Sequence, residues 1–248
     1  MATFYWRDST TNNGGYFMPL IFPLLGVLFN KRKLFVIWGI CVILTVSSLK
    51  RGAILCIGIE TLIFFYFYVR SVSDKRRKTL NLNLILMLCF SIAMLIVLNS
   101  IYQDNIYLQD RLEDTISGDS SGRDSIYEDA ISKFTNSNFF TKLMGHGFMQ
   151  TPRLIGMYAH SDWLELLVGL GILGVSLYCM IFLYLFIWYI HNKSYLSYSQ
   201  RFIYLSALSC WFVKSVFSMA FNAPEASMLS VAIAIVMGQV KISKQCKN

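Results

Sequence analysis

One histidine and two carboxylates stand at the start of a long apolar run, in the stretch AHSDWLELLVGLGILG. An imidazole titrates near neutral pH and can accept a proton from a hydroxyl group, so His160 is a candidate general base. Asp162 and Glu165 are close enough in sequence to orient this ring or to shift its pKa. A single histidine in a loop is more commonly inert, and the residues alone leave that alternative open.

Basic residues that could bind a phosphate precede this stretch. Lys50 and Arg51 lie in the tight connection SSLKRG, and Arg123 opens a segment with helical spacing. Arginine suits a phosphate site because its planar guanidinium can bond two phosphate oxygens at once. The alternatives are that Lys50 and Arg51 snorkel to lipid phosphates and that Arg123 is an ordinary surface residue. Arg153 is a weaker candidate for the same role.

Two charged residues, Glu60 and Lys214, fall inside apolar runs. Charges at membrane depth are costly and usually partnered, so we predict a buried Glu60–Lys214 pair, with a cavity-lining role as the alternative. The sequence predicts no metal site and no cofactor. The long loop contains only His146 and His160 as imidazole ligands and no cysteine, and the chain has no HExxH spacing.

Seven apolar runs could cross a membrane as helices. About 20 residues cross the ~30 Å hydrocarbon layer, and backbone groups in lipid must be bonded within their own segment. We therefore predict an all-α, polytopic integral membrane protein with a single membrane domain over 1–248. An extracytoplasmic loop, 99–162, joins the fourth and fifth spans, carries the candidate active site and contains a helix within 121–144. The predicted spans are Gly15–Phe29, Leu34–Leu49, Gly52–Val69, Leu82–Leu98, Trp163–Ile190, Phe202–Phe221 and Ala226–Val240.

The net charge is +8, and the Lys and Arg residues behind it are distributed unevenly among the connections between these spans. Four connections carry 13 of the 22 Lys and Arg residues, and they alternate with segments poorer in both. This pattern is typical of cytoplasmic connections, so we expect the N-terminus and the loop 99–162 outside and the C-terminus in the cytoplasm. The basic residues therefore indicate topology, and nucleic acid is excluded as the partner. The four connections are Lys31–Lys33, Arg70–Lys78, Lys193–Arg201 and Lys241–Lys247.

The order of these motifs resembles the O-antigen ligase and O-antigen polymerase superfamily of bacterial membrane glycosyltransferases. SSLKRG follows a span, GRDSIYEDAI and MGHGF lie in the external loop, and AHSDWLELLVGLGILG enters the next span. The family shows an arginine at a helix end, an arginine before a helical loop segment, G-x-G, and H-N-x-x-L leading into a glycine-rich span. The resemblance covers about residues 34–190. Ser161 and Gly169 stand where the family usually has asparagine and often has glutamate.

The resemblance implies a metal-independent glycosyltransferase that uses a polyprenyl-diphosphate-linked glycan donor at the outer face of the bacterial inner membrane. His160 would be the base, and Arg51 and Arg123 would bind the diphosphate. The favoured function is a polymerase that joins lipid-linked repeat units of O-antigen, capsule or exopolysaccharide. Partners are the glycan donor, the glycan acceptor, the lipid bilayer and other polysaccharide-assembly membrane proteins.

Three alternatives stay open. An O-antigen ligase, which transfers glycan to lipid A-core, would use the same chemistry with a different acceptor. Because family members usually have ten or more spans, the chain is expected to correspond to the C-terminal part of such a protein, and it could be an inactive fragment. A non-catalytic membrane subunit or a transporter is the third reading. A transporter would show two related halves with paired broken helices, and the sequence shows no such repeat.

Overall fold

The computed structural model describes residues 13–29, 34–48, 50–73, 123–221 and 224–245, and nine further positions between 92 and 113. All regular elements within these ranges are helical, which confirms the all-α class. Short 3₁₀ segments, Asn13–Tyr16, Phe22–Leu28 and Lys193–Tyr195, flank some of the helices. The α-helices are α1 (Phe17–Ile21), α2 (Leu34–Ser47), α3 (Arg51–Ser73), α4 (Arg123–Thr135), α5 (Phe139–Met144), α6 (Thr151–Ile155), α7 (Asp162–Asn192), α8 (Tyr198–Phe217) and α9 (Pro224–Gln245).

Helices α3 and α8 form an antiparallel pair at the centre of the molecule. A capping box starts α8: the Ser197 hydroxyl accepts from the Gln200 amide, and the Gln200 side chain accepts from the Ser197 amide. At this end of α8 the rings of Phe64 and Phe202 meet at 5.8 Å. At the other end, a β-carbon built on Gly52 would lie 3.0 Å from the β-carbon of Phe217. The start of α3 and the end of α8 therefore lie side by side.

Helix α7 is a helical hairpin, which corrects the expectation of one continuous span over Trp163–Ile190. Gly171 has φ 65° and ψ −161°, which no helical residue adopts. The ring of Trp163 packs against those of Tyr178 and Phe182, at 5.2 Å and 6.1 Å. In a straight helix, residues 15 apart would be separated by roughly 22 Å. The short arm, 162–170, thus folds back along the long arm, 172–192.

Four glycines join the turn of this hairpin to the segment after α5. The amides of His146 and Gly147 donate to the carbonyls of Val168 and Gly169, at 2.9 Å and 2.8 Å. These carbonyls belong to the last turn of the short arm, where the break at Gly171 leaves them without a helical partner. A β-carbon on Gly145 would collide with the Gly169 carbonyl, so the backbones approach too closely for any side chain.

Two of the described helices are long and apolar enough to cross a membrane, Arg51–Ser71 and Asp162–Tyr195. The long arm alone has 21 residues, which span roughly 31 Å. Its outward surface is apolar along most of its length and includes Leu177, Met180, Leu183, Tyr184, Phe186 and Ile187. A core helix of a soluble protein would bury these side chains.

The other predicted spans are shorter in the structure, are less apolar, or lie outside the residues that it describes. The structure replaces Gly15–Phe29 with a short α-helix between two 3₁₀ segments, and α2 has 14 residues. Helix α8 has 20 residues but lower hydropathy than the two long apolar helices. The predicted span Leu82–Leu98 and residues 99–122 of the predicted loop lie almost entirely outside the described residues. The seven-span count therefore stays a prediction.

Candidate active site

Three of the four basic residues singled out in the sequence lie where α3 begins and α8 ends. Lys50 and Arg51 stand at the start of α3. Arg123 begins α4, and its Nη1 donates to the carbonyl of Phe217, the last residue of α8, at 2.9 Å. A cation at a helix C-terminus is favourable because the last carbonyls carry partial negative charge. Arg123 therefore has a structural partner that holds its guanidinium at this end of the helices.

His160 lies in the same electrostatic neighbourhood. His160 is exposed at the surface, but desolvation on its protein-facing side lowers the pKa of its imidazole below the usual value, and the positive charge of Arg123 lowers it further. The carboxylate of Glu165 raises the pKa, and Lys50 again lowers it. These effects require the three charged groups to lie near the ring. At neutral pH the ring is thus mostly uncharged, the form that can accept a proton.

The backbone of His160 has φ 52°, in the left-handed region that residues with side chains rarely adopt. Glu165 bonds the backbone beside it, since its Oε1 accepts from the amide of Ala159 at 2.6 Å. Glu165 is only 3% exposed, and its Oε2 has no hydrogen-bond partner in the part of the chain that the structure describes. The prediction that Glu165 supports His160 thus has a geometric basis, through the backbone and through charge.

Asp162 has a different role from the predicted one of orienting the imidazole. Its carboxylate is fully buried and accepts from the Tyr178 hydroxyl at 2.7 Å. It also accepts from the amides of Ala220 and Phe221, at 2.8 Å and 3.1 Å. Asp162 therefore joins the short arm of the hairpin to its long arm and to the chain that follows α8. Its location at the start of the arm, rather than closeness in sequence to His160, determines these partners.

The structure does not bring Glu60 and Lys214 together, so the predicted ion pair is corrected. The Oε1 of Glu60 accepts from the Ser206 hydroxyl at 2.9 Å. Lys214 lies eight residues further along α8, roughly 12 Å nearer to the candidate site. There its ammonium lies over the ring of Tyr16, 5.2 Å from the centroid. The antiparallel register of α3 and α8 separates the two charges, and the sequence does not specify that register.

Arg153 does not join the cluster. It is exposed on α6, and its Nη1 donates to the side chain of Gln150 at 3.3 Å. His146 instead makes two contacts within the fold: its amide donates to the hairpin of α7, and its Nε2 lies 2.9 Å from the Ser137 hydroxyl. Within the described ranges, no group of three or more His, Cys, Asp or Glu side chains could hold a metal ion.

Sequence reasoning missed the two features that position His160: the hairpin of α7 and its glycine contacts. The glycines at 145, 147, 169 and 171 could have indicated a close backbone contact. Their partners could not be read from one chain, because glycine spacing does not state which segments meet. Comparison of the chain with protein-family models, with curated proteins and with solved structures gave no match.

Proposed function

We propose that the protein is a metal-independent glycosyltransferase of a bacterial inner membrane, and that it polymerises lipid-diphosphate-linked repeat units at the outer face. One observation supports this most strongly: His160 shares its surroundings with Arg123 and Lys50 at one end of the helices. The base and the phosphate-binding residues come from distant parts of the sequence. A polymerase needs this combination of groups at a membrane surface.

The polarity of the molecule supports the same location. Arg70 lies in the last turn of α3, Arg201 lies in the first turn of α8, and Lys193 follows α7, all at the end opposite His160. Lys241 joins them, since the neighbouring Gln239 bonds Gln200 across α8 and α9. Basic residues collect on the cytoplasmic side of membrane proteins. With this end in the cytoplasm, His160 faces outward, where the lipid-linked donor is presented.

In the proposed reaction, a ring nitrogen of His160 takes the proton of an acceptor hydroxyl. The hydroxyl oxygen forms a bond to the anomeric carbon of the donor, and the bond from that carbon to the diphosphate oxygen breaks. The polyprenyl diphosphate leaves with the electron pair, and the imidazolium returns its proton to water. Arg51 and Arg123 stabilise the charge that develops on the leaving diphosphate. General base help of this kind contributes about 10²- to 10⁴-fold to the rate.

The test is a glycan ladder from cells that lack the native gene and carry variants of this chain. His160→Ala should abolish polymer at normal membrane level of the protein, and His146→Ala is the matched control with polymer retained. Arg51→Lys and Arg123→Lys should lose most polymer, because an ammonium cannot bond two phosphate oxygens in the same plane.

Two results would contradict the proposal. Full-length ladders from well-expressed His160→Ala cells would remove the base from the mechanism. If His160→Ala cells make a complete ladder on the lipid carrier but transfer none of it to lipid A-core, the protein would instead be a ligase. Both results are read from the same cells by separating carrier-linked glycan from core-linked glycan.

A further inference from the structure

Helix α5 presents a small apolar surface to its surroundings, which we call the α5 patch: Phe139, Phe140 and Met144. Phe139 and Phe140 are each 75% exposed, and Met144 is 61% exposed. The two rings contact each other at 6.1 Å, and among the residues that the structure describes they pack on little else. The Asn138 side chain caps the helix by accepting from the Thr141 amide at 2.8 Å. Two adjacent phenylalanines with this exposure are unusual on a surface that faces only water.

Contacts with the hairpin fix the position of α5 along the axis of the molecule. A β-carbon on Gly171 would lie 2.5 Å from the carbonyl of Leu143, so α5 lies directly against the turn of α7. The long arm runs antiparallel to α8, with the ring of Phe182 at 5.6 Å from that of Trp211. In this register the end of α8, Phe217, is level with residue 176. The turn therefore extends about five residues beyond α8, or roughly 8 Å.

This height corresponds to the headgroup region of a bilayer. The hydrocarbon layer is ~30 Å thick and the whole bilayer about 40–45 Å, which leaves roughly 5–8 Å for the headgroups on each side. The long arm and α8 are each roughly 30 Å long but are offset along the axis by roughly 8 Å. When α8 matches the hydrocarbon layer, the turn and α5 lie in the headgroup region, and when the long arm matches it they lie at the hydrocarbon edge. Helices that lie in the membrane interface bury Phe and Leu side chains at the boundary between headgroups and acyl chains. Lys142 lies within the same helix, where its ammonium can reach lipid phosphates.

We propose that the α5 patch inserts into the headgroup region of the outer leaflet and sets the height of the hairpin turn. The short arm begins at Asp162, two residues after His160, and ends at that turn. Anchoring α5 therefore fixes the depth of His160 relative to the membrane surface. This inference rests on the membrane location that we propose, and it does not depend on the reaction that His160 performs.

The experiment places an environment-sensitive fluorophore on Phe139→Cys in a variant whose native cysteines are replaced, reconstituted in phosphatidylethanolamine–phosphatidylglycerol vesicles. Glu128→Cys, at an exposed polar position of α4, is the matched control. The label at 139 should lose most of its fluorescence to lipids with a nitroxide headgroup or a shallow acyl nitroxide, and little to aqueous iodide. The label at 128 should behave in the opposite way. Met144→Cys replaces Phe139→Cys if the latter does not accumulate.

Two outcomes would overturn the inference. A label at 139 that iodide quenches as readily as the label at 128 would place the α5 patch in water. A label protected from both iodide and nitroxide lipid would show that a protein, either a partner or a second copy of this chain, covers the patch. Neither outcome requires glycan transfer, so an inactive protein in the vesicles still gives the answer. A missing glycan ladder with lipid quenching intact would remove the proposed reaction alone.

Discussion

The imidazole of His160 owes its position to its backbone. A left-handed conformation costs a residue with a side chain on the order of 1 kcal/mol, so the surrounding structure must hold it there. The φ of 52° is accompanied by the bond from the Ala159 amide to Glu165. Such conformations are frequent at functional sites because they point a side chain in a direction that relaxed backbone does not allow. The ring is thereby held near the charges of Arg123 and Lys50.

The charges around His160 predict how activity depends on pH. The base must be uncharged, so activity should rise with pH through the pKa of His160, which lies below its usual value of 6.5. Glu165→Gln removes a negative charge that raises this pKa, so the acid limb should move to lower pH. Arg123→Gln removes a positive charge that lowers it, so the limb should move to higher pH. The pH dependence of polymer formation in membranes measures both shifts.

Because the two variants should move the acid limb in opposite directions, a general loss of activity cannot produce the same result. Loss of phosphate binding in Arg123→Gln would reduce activity at every pH without moving the limb. Shifts of the two variants in the same direction would contradict the placement of Glu165 and Arg123 around the ring. The imidazole resonance of His160 in a purified sample gives the same pKa without an activity assay.

At this scale the sequence indicated which candidate residues would lie near one another better than it indicated their contacts. The spacing of Lys50, Arg123 and His160 along the spans was enough to expect them at one end of the molecule. The partners of Asp162 and Glu60 were not predictable, because they depend on which faces of distant helices meet. A register shift of a single helical turn would give each carboxylate a different neighbour.

The hairpin of α7 shows why an apolar run does not reveal its own path. Hydropathy is nearly continuous from Trp163 to Ile190, and glycines occur at 169, 171 and 174. Any of the three could have broken the helix, or none. The close approaches of Gly145 to Gly169 and of Leu143 to Gly171 place the break at Gly171, and these contacts cannot be read from the local sequence. The sequence was therefore enough to predict that this run is helical, but not that the helix turns back at Gly171.

Two glycine substitutions test the turn against an ordinary helical position. Gly171→Ala should lower the free energy of unfolding by at least about 2 kcal/mol, since alanine is strained at φ 65° and would meet the Leu143 carbonyl. Gly58→Ala, in the middle of α3 with nothing within 4 Å, should be neutral or stabilising by up to ~1 kcal/mol. Thermal unfolding of both variants in the same detergent provides the comparison. Equal stability of the two would indicate a straight α7.

The two ends of the whole molecule differ in charge and in chemistry. The end with Arg70, Lys193 and Arg201 carries basic residues at the starts and ends of three helices. The other end carries the hairpin turn and helices α4 to α6, packed together. The distribution of Lys and Arg predicted this polarity from the sequence, because cytoplasmic connections collect them irrespective of how the helices pack.

A reporter that works only after export tests this polarity. Fused at Asn136, between α4 and α5, the reporter should be active, and fused at Ser197, before α8, it should be inactive. A cytoplasmic reporter at the same two positions should give the reverse result. Activity of the exported reporter at Ser197 would invert the molecule and place His160 on the cytoplasmic side, which would contradict the proposed reaction at the outer face.

The bond between Glu60 and Ser206 has a consequence for how the chain is made. The two residues are 146 positions apart. At a synthesis rate of about 5–20 residues per second, α3 waits roughly 7–30 s before the hydroxyl that bonds its carboxyl has been translated. During that interval the helix carries a polar group with no partner from α8. A chain that ends before α8 therefore leaves the Glu60 carboxyl without this bond and leaves α3 without the helix that it packs against.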